Sequence, residues 1–280
     1  MQQQKYNDKV SGLDMGPTIA WYEGNKDIFS GRLGALLQGP KKDLQYPMVN
    51  PANIQLYEDD IAALVNLFPQ NTIQRSILES IVGQPETWFH KDFIQEQPET
   101  TTDINQSISP TAIVPSKTDY SKWTEGKPSA DIWLYKITER AASPEVRRII
   151  LAEGFLHEFG GHTLIAPAFN VPEYSLQLPN GKVVDAFDYL SEFGTMAENH
   201  PPISHYASAY RGRNNKFESD NQKYNPIVAI SEELSEAIAA YHLGFAFCKD
   251  DARGKNPFSD RPEIRKFVED FLNAKLISSK

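Results

Sequence analysis

The sequence predicts an α+β protein that is mainly helical in its C-terminal half, with a small sheet beside one of its long helices. Three observations carry this reading. Ser143-Pro144-Glu145 and Asn225-Pro226 are strong helix starts, and each opens a run of apolar residues at helical spacing. Residues 112–114 and 131–137 (DIWLYKI) are dominated by β-branched and aromatic side chains and read as strands. The second strand comes shortly before the first of these helices.

In chain order, residues 12–50 are rich in Gly, Pro and aromatics and read as loops with short elements. Residues 57–83 read as one or two helices, with Pro69 as a break. From 95 to 130 the composition shifts to Gln, Thr, Ser and Pro, the signature of a long loop or a domain boundary around the first strand. This divides the chain into an N-terminal helical and irregular region, 1–105, and a C-terminal domain, 106–280, unless the two form one continuous domain. At Ser143 a serine cap, a proline at the first helical position and an acid near the positive end of the dipole begin a helix. Its apolar positions (Val146, Ile149, Ile150, Phe155, Leu156, Phe159) run into HEFGGH, and Pro167 sets its limit. A second helix is expected over 184–198, a third over 226–247, and a fourth from Pro262 to Lys275.

With 280 residues, 40% hydrophobic and 11% aromatic, the chain is suited to a water-soluble globular protein with a substantial core. Its net charge of −9 argues against a nucleic-acid partner, because phosphate binding needs a basic face. No run approaches the roughly 18 apolar residues of a membrane span. The opening MQQQKYNDKVSG is polar and has no apolar core like that of a signal peptide, so either export by that route is not expected or such a segment has been removed. The one cysteine, Cys248, rules out an internal disulfide and reads as packing, and the sequon at Asn105 reads as chance.

LHEFGGHTL, residues 156–164, carries the chemistry. His157 and His162 are five residues apart. Residues four apart on an α-helix differ by about 40° around the axis, whereas residues five apart diverge by about 140° and cannot share an ion. A π-type turn, with i→i+5 bonding, absorbs the extra residue and returns both imidazoles to one face. Gly160-Gly161 lets the chain bulge there without a side-chain clash and is otherwise a poor choice inside a helix. The bland alternative is a buried histidine and an unrelated one beside a glycine break. A glutamate directly after the first histidine and an acidic helix downstream weigh against it. That downstream helix offers Glu232, Glu233 and Glu236, of which Glu232 and Glu236 are four apart and share a face. One could bind the metal while the other holds a histidine from behind. The competing reading is an acidic, solvated helix face. Glu192, Glu198, His200 and His205 are weaker candidates for the third ligand.

HEFGGHTL, then PISHYASAY, then SEELSEAIAAYHLG resembles the catalytic region of gluzincin zinc metallopeptidases. The order is similar to that of anthrax lethal factor-like proteases. The extra residue departs from their pattern and resembles the H-E-x-x-G-H helix of dipeptidyl peptidase III. The resemblance covers roughly residues 143–247. It implies a zincin-like core with a small sheet beside the zinc helix, His157, His162 and Glu232 as zinc ligands, Glu236 supporting them, and Glu158 as general base. It also implies that Tyr206 assists the transition state, with Tyr210 as a competitor, and it alone suggests a secreted toxin or translocated effector.

The chemistry of such a donor set is metal-assisted hydrolysis. Two neutral imidazoles and a carboxylate leave zinc positively charged with a position open for water. Glu158 would take the proton, a tyrosine hydroxyl would steady the oxyanion, and strand 131–137 would offer a sheet edge to an extended peptide or protein substrate. The rival from another class is a non-catalytic binding protein that keeps a structural or degenerate zinc site. Retention of Glu158 argues against it, since a structural zinc needs no base and usually takes four protein ligands. Hydrolysis of a non-peptide amide is a third reading. Cleavage specificity and oligomeric state are not legible.

Overall fold

The computed structural model describes residues 16–36, 88–93, 111–115, 130–135, 143–162, 165, 174–217, 226–246 and 256–278. The helices expected in 57–83, Cys248 and Asn105 lie outside the described residues. In chain order the elements are α1 (Gly16–Leu36), β1 (Trp88–Phe93), β2 (Thr111–Pro115), β3 (Ala130–Tyr135), α2 (Pro144–Phe155), a π-helix (Leu156–His162), β4 (Tyr174–Gln177), β5 (Val183–Asp185), α3 (Ala186–Ala197), α4 (His205–Ser208), a 3₁₀ turn (Arg213–Asn215), α5 (Pro226–Leu243), α6 (Pro262–Leu272) and β6 (Lys275–Ser278). The described residues therefore mix helix and strand, with helix predominant. Among them no helix is long and apolar enough to cross a membrane.

Central to the packing is α5. Every residue from Ser231 to Ala240 is buried, so this helix has neighbours all round. The π-helix, α3, α4, α6 and α1 all pack against it. Gly244, at φ +74°, closes α5 by placing its amide 2.8 Å from the Ala240 carbonyl. The helix thus stops short of the expected 247. Ser143 caps α2 by accepting from the Val146 amide, as its position before Pro144 predicts.

Four further expectations are corrected. Residues 16–36, read as part of a loop region, form the 21-residue helix α1. Its buried Tyr22, Phe29 and Leu33 join the same apolar core as α2, α3, α5 and α6, with Phe29 and Phe245 ring centroids 4.2 Å apart. That burial outweighs the low helix propensity of its glycines. The helix expected over 184–198 begins at Ala186, because Val183–Asp185 pairs with β4 and Asp185 caps α3 by accepting from the Asp188 amide. The last helix ends at Leu272, and Lys275–Ser278 instead adds to β4 as an antiparallel strand.

The fourth correction concerns the strand expected at 131–137: its described part, β3 (Ala130–Tyr135), is a central strand and not an edge. In the order β1-β3-β2 it pairs parallel with β1 and antiparallel with β2, leaving its own backbone no open side. β2 is the edge strand that lies against α2 and the π-helix. The second sheet runs β5-β4-β6.

Candidate metal centre

The helix begun at Ser143 changes winding at Leu156 and continues to His162 as a π-helix. This wider winding brings residue i+5 back near the face of residue i. The His157 and His162 rings accordingly lie with centroids 4.8 Å apart, and their Nε2 atoms are 3.1 Å apart. The glycines serve this arrangement, though neither has a positive φ. A Cβ at Gly161 would fall 2.1 Å from Ser235 Oγ, 2.4 Å from its Cβ and 2.6 Å from its Cα. Gly161 is therefore required for the close approach of α5, which delivers the third donor.

Among the described residues, the one group of three or more histidine, cysteine or acidic side chains close enough to share an ion is His157, His162 and Glu232. Glu232 Oε2 is 3.2 Å from His157 Nε2 and 3.4 Å from His162 Nε2. With the 3.1 Å between the two nitrogens, the donors form a nearly equilateral triangle. Three corners of a tetrahedron at zinc distances of about 2.0–2.1 Å would be about 3.3–3.4 Å apart, so the spacing fits.

The remote imidazole nitrogens are held as well. His157 Nδ1 is 2.6 Å from Glu236 Oε1, and His162 Nδ1 is 3.1 Å from Ser231 Oγ. If each Nδ1–H donates outward, both Nε2 lone pairs and a carboxylate oxygen point at one another with no proton between them. Such a cluster calls for a cation. Burial opposes charge on His157, but Glu232 and Glu236 outweigh it and raise its pKa well above the usual imidazole value. Burial likewise opposes charge on Glu232, yet the His162 charge and hydrogen bonds from His157 and His162 hold it well below the usual carboxylate range.

The group is buried on one side and open on the other. Side-chain exposure is 7% for His157 and 3% for Glu232 but 25% for His162, so solvent can reach it past His162. The idea of an acidic, solvated face on α5 is overturned, since Glu232, Glu233 and Glu236 are all buried. Glu233, the alternative ligand, points elsewhere. Its Oε2 accepts from Arg211 Nε at 2.8 Å and its Oε1 from the Ile203 amide at 3.0 Å.

The weaker ligand candidates do not join the group. Glu198 pairs with Lys216 and the Phe217 amide, His200 pairs with Glu263, Glu192 is exposed, and His205 is buried at the start of α4. Tyr206 sets its ring edge-on to His157, with centroids 5.5 Å apart at 87°. Its hydroxyl is 2.8 Å from that of Tyr210, so the two tyrosines form one unit beside the first histidine. Glu158 lies between the histidines on the π-helix, and its side chain is outside the described residues.

Ser231 was missed in the sequence. It immediately precedes Glu232 and lies five residues before Glu236, so one stretch of α5 supplies a donor and both orienting groups. Ser231→Ala is expected to weaken metal affinity about tenfold, the lower end for loss of such a partner, while leaving the fold intact. Competition with a chromophoric chelator measures this. Unchanged affinity would mean that Ser231 does not orient His162.

Fold and site together define a group of two histidines and one glutamate, carried on a π-helix and a buried α-helix, that can hold a metal ion. Comparison of the chain with protein-family models, with curated proteins and with solved structures finds no match.

Proposed function

We propose that the protein is a zinc-dependent metallopeptidase with a zincin-like core, hydrolysing peptide bonds of a peptide or protein substrate. The convergence of His157 Nε2, His162 Nε2 and Glu232 Oε2 within 3.4 Å of one another, each histidine held from behind, carries the reading. The similarity to gluzincin motifs supports it independently.

When bound by these three residues, a zinc ion supplies Lewis acidity that acidifies a water and polarises the substrate carbonyl. His157 and His162 are kept in the donating tautomer by Glu236 and Ser231, and Glu232 supplies the negative charge. Glu158, next to the first ligand, takes the proton of the attacking water and passes it to the leaving nitrogen. Tyr206, backed by Tyr210, donates to the oxygen on which charge develops. The edge strand β2, packed against the π-helix, offers an extended substrate a row of backbone partners, the part first expected of strand 131–137.

Purified protein is expected to carry about one zinc per chain, and His157→Ala or His162→Ala to lose it. A peptide-library digest with and without chelator tests the activity. Stoichiometric zinc in the double histidine variant would rule out this site. Zinc without cleavage of any library would favour a binding protein that keeps the site for structure.

A further inference from the structure

We propose that Glu233 is a positioning residue of the site: paired with Arg211, it holds the segment that carries Tyr206 and Tyr210 in place against His157. The inference deepens the peptidase reading above and rests on it for the part the tyrosines play.

Glu232 and Glu233 are consecutive on α5, so their side chains leave the helix about 100° apart. The first turns to the histidines, and the second turns to the chain between α3 and the 3₁₀ turn. One carboxylate grips that chain at both ends. Glu233 Oε1 accepts from the Ile203 amide at 3.0 Å, just ahead of the α4 cap Ser204. Glu233 Oε2 accepts from Arg211 Nε at 2.8 Å, just beyond Tyr210, and Arg211 Nη2 lies 2.8 Å from Oε1. Between the two grips the chain is a ladder of turns. Ser204 Oγ accepts from the Ala207 amide at 3.0 Å, and the amides of Ser208, Ala209, Tyr210 and Arg211 donate to the carbonyls of Ser204, Tyr206, Ala207 and Ser208. Arg211 is fixed in turn, since its Nη1 donates to the Asn215 carbonyl at 3.0 Å and its guanidinium lies over Phe217, 3.9 Å from the ring centroid.

Both charges are buried. Apolar residues of similar size often do as well or better for stability, so stability alone does not call for an ion pair here. A planar guanidinium, unlike an ammonium, meets a carboxylate in a defined orientation. What that orientation fixes is the tyrosine segment. The Tyr206 ring stands edge-on to His157 with centroids 5.5 Å apart, and the Tyr206 and Tyr210 hydroxyls are 2.8 Å apart. A donor to a developing oxyanion works when it is held in place beforehand, and a displacement of about 1 Å can cost about 10²-fold in rate. Helix α5 therefore gives one residue to the ion and the next to the tyrosines.

The test uses the full chain with ¹⁵N-labelled histidine, the His157 ring resonance being assigned by its loss in His157→Ala. The ring current of Tyr206 acts on that resonance, and Tyr206→Leu gives the direction of its removal. Arg211→Lys keeps the charge but not the planar group, and is expected to move the resonance in the same direction as Tyr206→Leu, with or without Zn²⁺. Zinc affinity by chelator competition is expected to stay within about threefold of the wild type, because the donors and their orienting partners are untouched. For a library peptide that the wild type cleaves, kcat is expected to fall about 10²-fold with KM little changed. In a Tyr206→Phe/Tyr210→Phe background the same substitution is expected to change kcat by less than about threefold, since the hydroxyls it positions are already gone. If Arg211→Lys does not fold, Arg211→Met/Glu233→Gln leaves no unpaired buried charge and keeps an acceptor for the Ile203 amide. It is expected to give the same changes. A purely structural role would lower the melting temperature while the resonance and kcat stay where they are, and that overturns the proposal. Zinc affinity lost in step with kcat overturns it as well, since the pair would then be holding the ligands. The metal reading survives both results. A wild type that holds zinc and cleaves nothing overturns the peptidase reading. The resonance then decides the clamp alone: one that stays in place overturns it, and one that moves upholds it.

Discussion

Glu158→Gln is expected to keep zinc and the fold while peptide hydrolysis falls by about 10²–10⁴-fold, the usual contribution of a positioned general base. Glutamine has nearly the volume and shape of glutamate but cannot take a proton. Glu158 lies between His157 and His162 on the π-helix, and the three donors of the metal group are all other residues. Metal content should therefore be indifferent to the change. The rate should fall chiefly in kcat, because proton removal belongs to the transition state and not to substrate binding.

Metal analysis and single-turnover cleavage on the same preparation separate the outcomes. Loss of zinc in Glu158→Gln would make Glu158 a structural member of the site. Unchanged cleavage would sink the proposed mechanism. A wild type that holds zinc yet cleaves nothing would shift the reading to the binding protein. In that case the variant should be indistinguishable from the wild type in every assay.

The core of the site was legible in the sequence because its chemistry depends on spacing. Histidines five positions apart fit one ion only through a π-type turn, and the structure has a π-helix at Leu156–His162. The i, i+4 relation of Glu232 and Glu236 placed one at the metal group and one behind His157, as the geometry now has them. What stayed hidden depends on contacts between distant parts of the chain. Tyr22 meets Glu153 across 131 positions, and nothing local marks either as a partner. Helix α1 was hidden by Gly24, Gly31 and Gly34, although Tyr22, Phe29 and Leu33 repeat at helical spacing and could have shown it. Strand β6 is four residues long and owes its conformation to β4, not to its own sequence. That β3 is central became visible only with β1, whose parallel pairing takes up its second side.

Gly161→Ala is expected to disrupt both the fold and the metal group. The added methyl would sit 2.1 Å from Ser235 Oγ, 2.4 Å from Cβ and 2.6 Å from Cα, all far inside contact distance. A flexible side-chain end could swing away, but Ser235 is fully buried and its Cα belongs to the backbone of α5. The π-helix and α5 must therefore separate. That strain falls at or above the upper end of the roughly 1–3 kcal/mol typical of overpacking. The same movement withdraws Glu232, Ser231 and Glu236 from the histidines, since all three ride on α5. Zinc affinity should then fall by more than the tenfold expected for Ser231→Ala, because a donor and both orienting groups shift together. Urea unfolding of the metal-free protein and chelator competition measure the two effects separately. Ser235→Gly in the same chain removes the two nearest atoms but leaves Cα, so it should restore stability only in part. Full stability and wild-type zinc affinity in Gly161→Ala alone would show that the two helices are not held at this distance.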